Sequence, residues 1–254
     1  MAMRYALGNN PHSHEEESYF VSMTDMMVGL LFIFIIMLMY FALQYQSTTK
    51  QMISAQETRK AIVSEIQDTL RKEGLVVDVD PKSEVLRLSE NALHFDLGSS
   101  VVDAKADHVI TSLSSVLSNI LPCYSNEQTL HANVEKCAQR NQEQHWIEAI
   151  FIEGHTDNRP YMVAGQNRNL NLSTDRAANT YAAMVAKRPD LEDLKNPEGQ
   201  ALLSVSGYGD KRPLSPDSNA TDEGRRANRR IDIRLIMATP QQDEAIREIK
   251  TEIK

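Results

Sequence analysis

Two groups of residues in this chain have the types and spacing to do chemistry. The first is a lone carboxylate. From Tyr19 to Tyr45 the chain reads YFVSMTDMMVGLLFIFIIMLMYFALQY, and Asp25 is the one charge in it. An ionised carboxylate inside a membrane helix costs ~2.5–3.5 kcal/mol on the lenient insertion scale, so it normally faces protein or water. Ser22 and Gly29 share its helix face, at i−3 and i+4, and small or polar neighbours allow another helix to approach closely. Such a group can take up and release an ion, with the membrane field contributing ~2.3 kcal/mol per charge per 100 mV. The alternative is an interfacial aspartate that reaches headgroup water.

The second group is an ordered set of short motifs: Ile152-Glu153-Gly154-His155-Thr156-Asp157, Asn171-Leu172-Ser173-Thr174-Asp175-Arg176-Ala177, Gly207-Tyr208-Gly209 with Pro213, and Asn228-Arg229-Arg230-Ile231-Asp232-Ile233. Asp157 offers an acceptor for a cation, and the planar guanidinium of Arg176 can hold a carboxylate through two parallel bonds. The alternative is a salt bridge between the two, tying a strand end to a helix. Arg229 and Arg230 either line the same pocket or cap the preceding helix. His155 is expected to be a hydrogen-bonded structural histidine. No metal site is expected, because no second ligand stands at zinc spacing from it.

These residues need elements to position them. The run at 19–45 is about what a helix needs to cross a ~30 Å hydrocarbon core. Glu15, Glu16 and Glu17 ahead of it, its length, and the lack of a small-residue cleavage site argue against a signal peptide, so it is expected to remain as an anchor. No proline stands between Pro11 and Pro81. The helix can therefore continue as a linker over 46–74, capped by Gly74, projecting roughly 40 Å. Val63, Ile66 and Leu70 keep a 3–4 spacing that suggests a short dimer contact, while Gln56 and Arg59 interrupt any longer coiled coil.

From Leu75 the pattern changes. VVDVD and EVLRLS around a proline turn predict a hairpin, and Val109 to Ile120 recur at helical spacing within a helix over 104–121. Residues 122–145 are polar and predict an inserted loop holding Cys123 and Cys137. Ile147–Glu153 reads as a buried strand. Leu172–Lys187 reads as a helix with Ser173 as N-cap and its amides facing an anion. LLSVSGYG is a strand, a short helix starts near Thr221, and Ile231, Ile233 and Leu235 alternate along a last strand. The sum is an α+β chain: one transmembrane helix, a helical linker and a two-layer α/β sandwich over 75–238, between tails at 1–18 and 239–254.

Composition bounds the function. A net charge of −8, with no aromatic-interleaved basic stripe, argues against nucleic acid. The two cysteines are expected to pair in an oxidising compartment and to stay reduced in the cytosol. Lys50, Arg59 and Lys60 follow the span and only Arg4 precedes it, so charge counting does not place the N-terminus inside.

The four motifs, in this order over roughly 92–237, resemble the OmpA-like peptidoglycan-binding family. The resemblance implies that Asp157 and Arg176 bind the zwitterionic side-chain end of diaminopimelate in the peptidoglycan stem peptide. Asp25 at the start of a lone span, a helical connector and this domain together resemble the MotB class of ion-driven stator subunits. The segment SYFVSMTDMMVGLLFIFIIML looks most like the ZorB branch of Zorya anti-phage defence. A flagellar MotB-like stator and a static cell-wall tether are the alternatives. The resemblance implies a non-enzymatic, cofactor-free homodimer with Asp25 as carrier, H⁺ preferred over Na⁺. It also implies a MotA/ZorA-like multi-span partner, an N-inside single pass through the inner membrane and a periplasmic C-terminal domain. In that compartment a Cys123–Cys137 disulfide is expected.

Overall fold

The computed structural model describes residues 11–239 except 76, 81–82, 97 and 104–105. The first ten residues of the 1–18 tail and nearly all of the 239–254 tail lie outside the described residues, as do Pro81 in the predicted turn and Ala104. The chain forms two compact units, Met1–Gln51 and Met52–Lys254.

Within the first unit, helix α1 (Pro11–Lys72) begins, and the part of it from Tyr19 is apolar and long enough to cross a membrane. Every residue from Tyr19 to Leu43 is exposed in the isolated chain. Exposed rings and branched chains such as Phe32 (64%) and Ile33 (64%) match a segment whose solvent is hydrocarbon.

The linker expected over 46–74 is helical, and its last turns belong to the second unit. Ile62, Ile66 and Leu70 are 0% exposed and Val63 2%; all four lie in the hydrophobic core of the unit. Burying each such side chain stabilises by ~1.5–3 kcal/mol. The stripe that suggested a dimer contact is therefore consumed within its own chain, and residues 52–74 form part of the folded unit rather than a free connector. Arg59 pairs with Glu84 at 2.6 Å, Glu65 with Arg140 at 2.8 Å, and the Gln67 amide donates to the Val77 carbonyl at 2.9 Å. The helix ends as expected at Gly74. At φ +83° it lets the Leu75 N–H reach the Leu70 carbonyl and its own N–H reach that of Arg71, both at 3.0 Å, the paired bonds of a Schellman cap.

A five-stranded sheet carries the rest. Strands β1 (Asp78–Asp80), β2 (Val85–Ser89), β3 (Ile147–His155), β6 (Leu203–Gly207) and β7 (Arg230–Met237) are ordered β1-β2-β7-β3-β6. Only β3 and β6 run parallel. A separate small hairpin joins β4 (Met162–Val163) to β5 (Gln166–Asn167). Leu86, Leu88, Ile150, Ile152, Ile231 and Ile233 are buried in one cluster with the apolar faces of α2 (Asp107–Ile120) and α5 (Asn169–Lys187). Helices on one face of a mixed sheet give the two-layer α+β architecture expected from the sequence.

The expected loop at 122–145 is a small folded module. A 3₁₀ turn (Leu121–Tyr124) is followed by α3 (Glu127–Ala132), capped by Asn126, whose side chain accepts from the Thr129 N–H at 2.8 Å, and by α4 (Val134–Cys137). Buried Asn141 donates to the Cys123 and His145 carbonyls at 2.8 Å each. Tyr124 donates to the Arg140 carbonyl at 2.8 Å, and burial, reinforced by Glu65, pushes its phenol up to about 12. Cys123 and Cys137, both buried, form the expected disulfide across 14 positions. In the chain-entropy treatment, closing a loop of this size stabilises by ~3 kcal/mol. A Cys123→Ala/Cys137→Ala variant is expected to lose about that much stability, read as a lower urea midpoint. An unchanged midpoint would show that the other contacts alone hold the module.

Candidate functional site

Asp157 leaves the C-terminal end of β3, and Arg176 lies two turns into α5. Two glycines let these elements meet. A Cβ on Gly154 would sit 1.9 Å from the Ser173 carbonyl oxygen, and one on Gly207 2.1 Å from the Thr174 hydroxyl. Any side chain there would push α5 off the sheet. The Ser173 hydroxyl then accepts from the Gly209 N–H at 2.8 Å and donates to the Leu170 carbonyl at 2.8 Å.

Ser173 is thus not an N-cap. The helix starts four residues earlier because Asn167 accepts from the Asn169 N–H at 3.0 Å and sets the first turn. Ser173 falls in the second turn, where N–H groups are spent on the helix's own carbonyls, and no anion site forms on its amide. Asn169 is the residue the sequence did not single out. It is buried, accepts from the Tyr161 N–H at 2.9 Å, and donates to the Arg159 carbonyl at 3.1 Å. It therefore pins the segment carrying Asp157 to the head of α5.

The expected alternative of an Asp157–Arg176 salt bridge does not form. Asp157 accepts from the Arg159 N–H at 3.0 Å and pairs with Arg229. Arg229 is also gripped by Glu90 through two parallel bonds of 2.8 and 2.7 Å, and this grip, ahead of Asp157, raises its pKa. Arg176 is only 4% exposed. Its Nε donates to the Ser99 carbonyl at 2.9 Å and its Nη2 to that of Asp96 at 3.3 Å, with Phe95 4.9 Å beneath the guanidinium. Among the described residues no carboxylate lies within ion-pair distance of it. Burial lowers its pKa, opposed by Glu90 and Asp157, whose fields reach it. The fold thus gathers Asp157, Arg176 and Arg229, with Glu90, which the sequence did not mark. It holds a carboxylate within electrostatic reach of an anchored guanidinium that has no acid of its own.

Arg230 is not part of this group. Its Nε donates to Asp232 at 2.9 Å and its Nη2 to the Arg212 carbonyl at 3.2 Å. It belongs to a buried network on the sheet face away from the aliphatic core. There Arg87 reaches Asp232 at 3.2 Å, and Arg234 holds Glu153 at 2.8 and 3.0 Å. Adjacent residues entering a strand point to opposite faces, which separates Arg229 from Arg230.

His155 sits in the same network, 2% exposed and stacked on Tyr208 at 5.3 Å with an interplanar angle of 19°. Arg212 covers the other side of that ring at 3.8 Å. Contrary to expectation, neither ring nitrogen has a hydrogen-bond partner among the described residues. The fold also brings Glu153 and Asp232 to it, with potential ligand atoms within 4.8 Å of one another. Both carboxylates are already held by Arg87, Arg230 and Arg234, so a metal ion there would displace three guanidinium groups.

Burial, then Arg230, lowers the His155 pKa from 6.5 to about 3, with Asp232 opposing and Arg87 and Arg212 adding to the fall. The unfolded chain therefore binds this proton first on acidification. Stability is full above pH ~6.5 and is expected to fall toward pH ~3 by up to ~1.4 kcal/mol per pH unit. Urea titrations from pH 7 to 4 on wild type and His155→Leu check this. The variant's midpoint should depend less steeply on pH, and identical slopes would refute the assignment.

The OmpA family model matches residues 124–229. Motility protein B of Bacillus subtilis is 34% identical over 87 residues, 34% of this chain; the match spans 30% of the length of that relative. Among solved structures, a MotB-like protein of Desulfovibrio vulgaris is 19% identical with a TM-score of 0.48, covering 75% of this chain and 97% of that one. The cell wall anchor of the Pseudomonas aeruginosa T6SS is 19% identical with a TM-score of 0.45, covering 70% and 96%. The chain carries an OmpA-like domain.

Proposed function

We propose that this chain is a MotB-like stator subunit, anchored to peptidoglycan and driven by ion flow across the inner membrane. The observation that carries the anchoring half is Arg176: a buried guanidinium on carbonyl partners only, beside the Asp157 carboxylate. A zwitterion with one ammonium and one carboxylate complements that pair, and the side-chain end of diaminopimelate is such a group. In this proposal the 52–238 unit lies in the periplasm, where the Cys123–Cys137 bond persists, and the N-terminus is cytoplasmic.

The motor half rests on the single apolar helix and its one carboxylate. Asp25 relays protons, in preference to Na⁺, against a MotA/ZorA-like multi-span partner around two copies of this chain. No catalytic or cofactor role is assigned to the protein. Its membrane segment most resembles the ZorB branch of Zorya anti-phage defence. A flagellar stator is the second reading, favoured by the match to a motility protein. A phage-protection assay against a motility assay in deletion strains separates the two.

The anchoring half is tested with the full-length protein in detergent. It should sediment with purified sacculi, and free meso-diaminopimelate should compete it off. Sedimentation indifferent to diaminopimelate would overturn the ligand assignment.

A further inference from the structure

The carboxylate half of the site contains an imbalance that identifies a further residue. Asp157 is the group placed to accept an ammonium, yet one of its oxygens is already paired with Arg229. Taken alone, that couple is neutral and would offer an incoming cation little net attraction. Glu90, 139 positions away in sequence, changes the balance. It takes Nε and Nη2 of Arg229 through a fork-to-fork contact, leaving only Nη1 for Asp157. Two carboxylates then share one guanidinium, so this part of the site carries one net negative charge. Arg176, held by carbonyls rather than by acids, carries one positive charge.

We propose that Glu90 is a specificity-determining positioning residue that keeps Asp157 available to a ligand ammonium by neutralising Arg229. The role rests on the zwitterion reading of the site and deepens it. Glu90 does not itself have to touch the ligand. Its side chain is 17% exposed and Arg229's 22%, so water only partly screens the effect, and a charge change there is felt by the neighbouring groups of the site. The geometry supports a division of labour: Asp157 contacts, Glu90 supplies the surplus charge, and Arg229 fixes both carboxylates in place. A strand end (Ser89 closes β2) and the segment between α6 (Asp222–Asn228) and β7 provide rigid supports for this triad.

The test separates charge from structure by ligand choice. Two N-terminally capped stem peptides ending in meso-diaminopimelate are compared by calorimetry on the full-length protein. One has a free side-chain amine, and in the other that amine is acetylated. Wild type should prefer the free amine by about tenfold or more, the order expected for one partly screened charge. Glu90→Gln keeps the size and one acceptor for Arg229. It should bring the two peptides to within about threefold by weakening the free-amine peptide alone.

The double variant Glu90→Gln/Arg229→Gln releases Asp157 from its competing guanidinium and should restore the preference. If Glu90→Gln keeps the wild-type preference, or weakens both peptides equally, Glu90 is a structural partner of Arg229 and the proposal fails. Failure of the double variant to recover the preference, while its melting curve stays cooperative, also overturns it. Wild-type protein that binds neither peptide would instead refute the ligand reading on which this role depends.

Discussion

Replacing Asp25 with asparagine is expected to abolish ion-driven activity while leaving membrane insertion and partner association intact. The amide has nearly the same size and shape as the carboxylic acid, so helix packing has no reason to change. What it lacks is a charge that can appear and disappear. In the isolated chain Asp25 is exposed, as is the whole run around it, and a Cβ added at Gly29, one turn on, would meet nothing of its own chain within 4 Å. In hydrocarbon an unpaired carboxylate is costly. On the proposed stator reading, the open face beside Asp25 is where another helix or a water path supplies its environment. The check is activity in cells, protection from phage or motility, alongside co-purification of the multi-span partner. Full activity of the asparagine variant would eliminate the carrier role.

The second large effect concerns the wall grip. Asp157→Asn and Arg176→Lys are each expected to weaken binding to sacculi by at least ~30-fold, the lower end for breaking one side of a desolvated charge pair. These substitutions are milder than alanine for a reason. Arg176→Ala would remove the guanidinium that ties α5 to the Ser99 and Asp96 carbonyls, and would confuse loss of structure with lost binding. Lysine keeps the charge but loses the planar fork. Asparagine can still accept from the Arg159 N–H. Co-sedimentation with sacculi measures the effect, and a circular-dichroism melt confirms that the fold persists. If both folded variants sediment like wild type, Asp157 and Arg176 are structural.

Much of the fold was legible because it is written in local patterns. Apolar length marked the spanning helix, alternation marked β2 and β7, and Gly74 marked the end of α1. Thr221 marked the start of α6, where its hydroxyl accepts from the Gly224 N–H at 3.1 Å. Where expectation failed, the pattern admitted two solutions. Val63, Ile66 and Leu70 form an apolar stripe whether a second copy or the chain's own sheet covers it, and periodicity does not name the cover. Ser173 has the right chemistry for an N-cap, but the helix starts at Asn169, four residues before it, behind an Asn167 side chain that accepts from the Asn169 N–H. The polar stretch at 122–145 looked like a loop because its two helices are short and its order depends on a disulfide and on buried Asn141.

The sequence by itself determined which residues carry charge, where the chain can enter a membrane, and in what order the Asp157, Arg176 and Arg229–Arg230 motifs arrive. Each of these is set by side-chain identity and by contacts within a few residues. Only the tertiary structure decided which charges meet. It placed Arg229 between Glu90 and Asp157, sent Arg230 to Asp232 on the opposite sheet face, and left Arg176 without an acid. The physical reason is range: an ion pair is decided by a few ångströms in space. Partners 72 and 139 positions apart come that close only once the strand register, the two glycine contacts and the start of α5 are settled together.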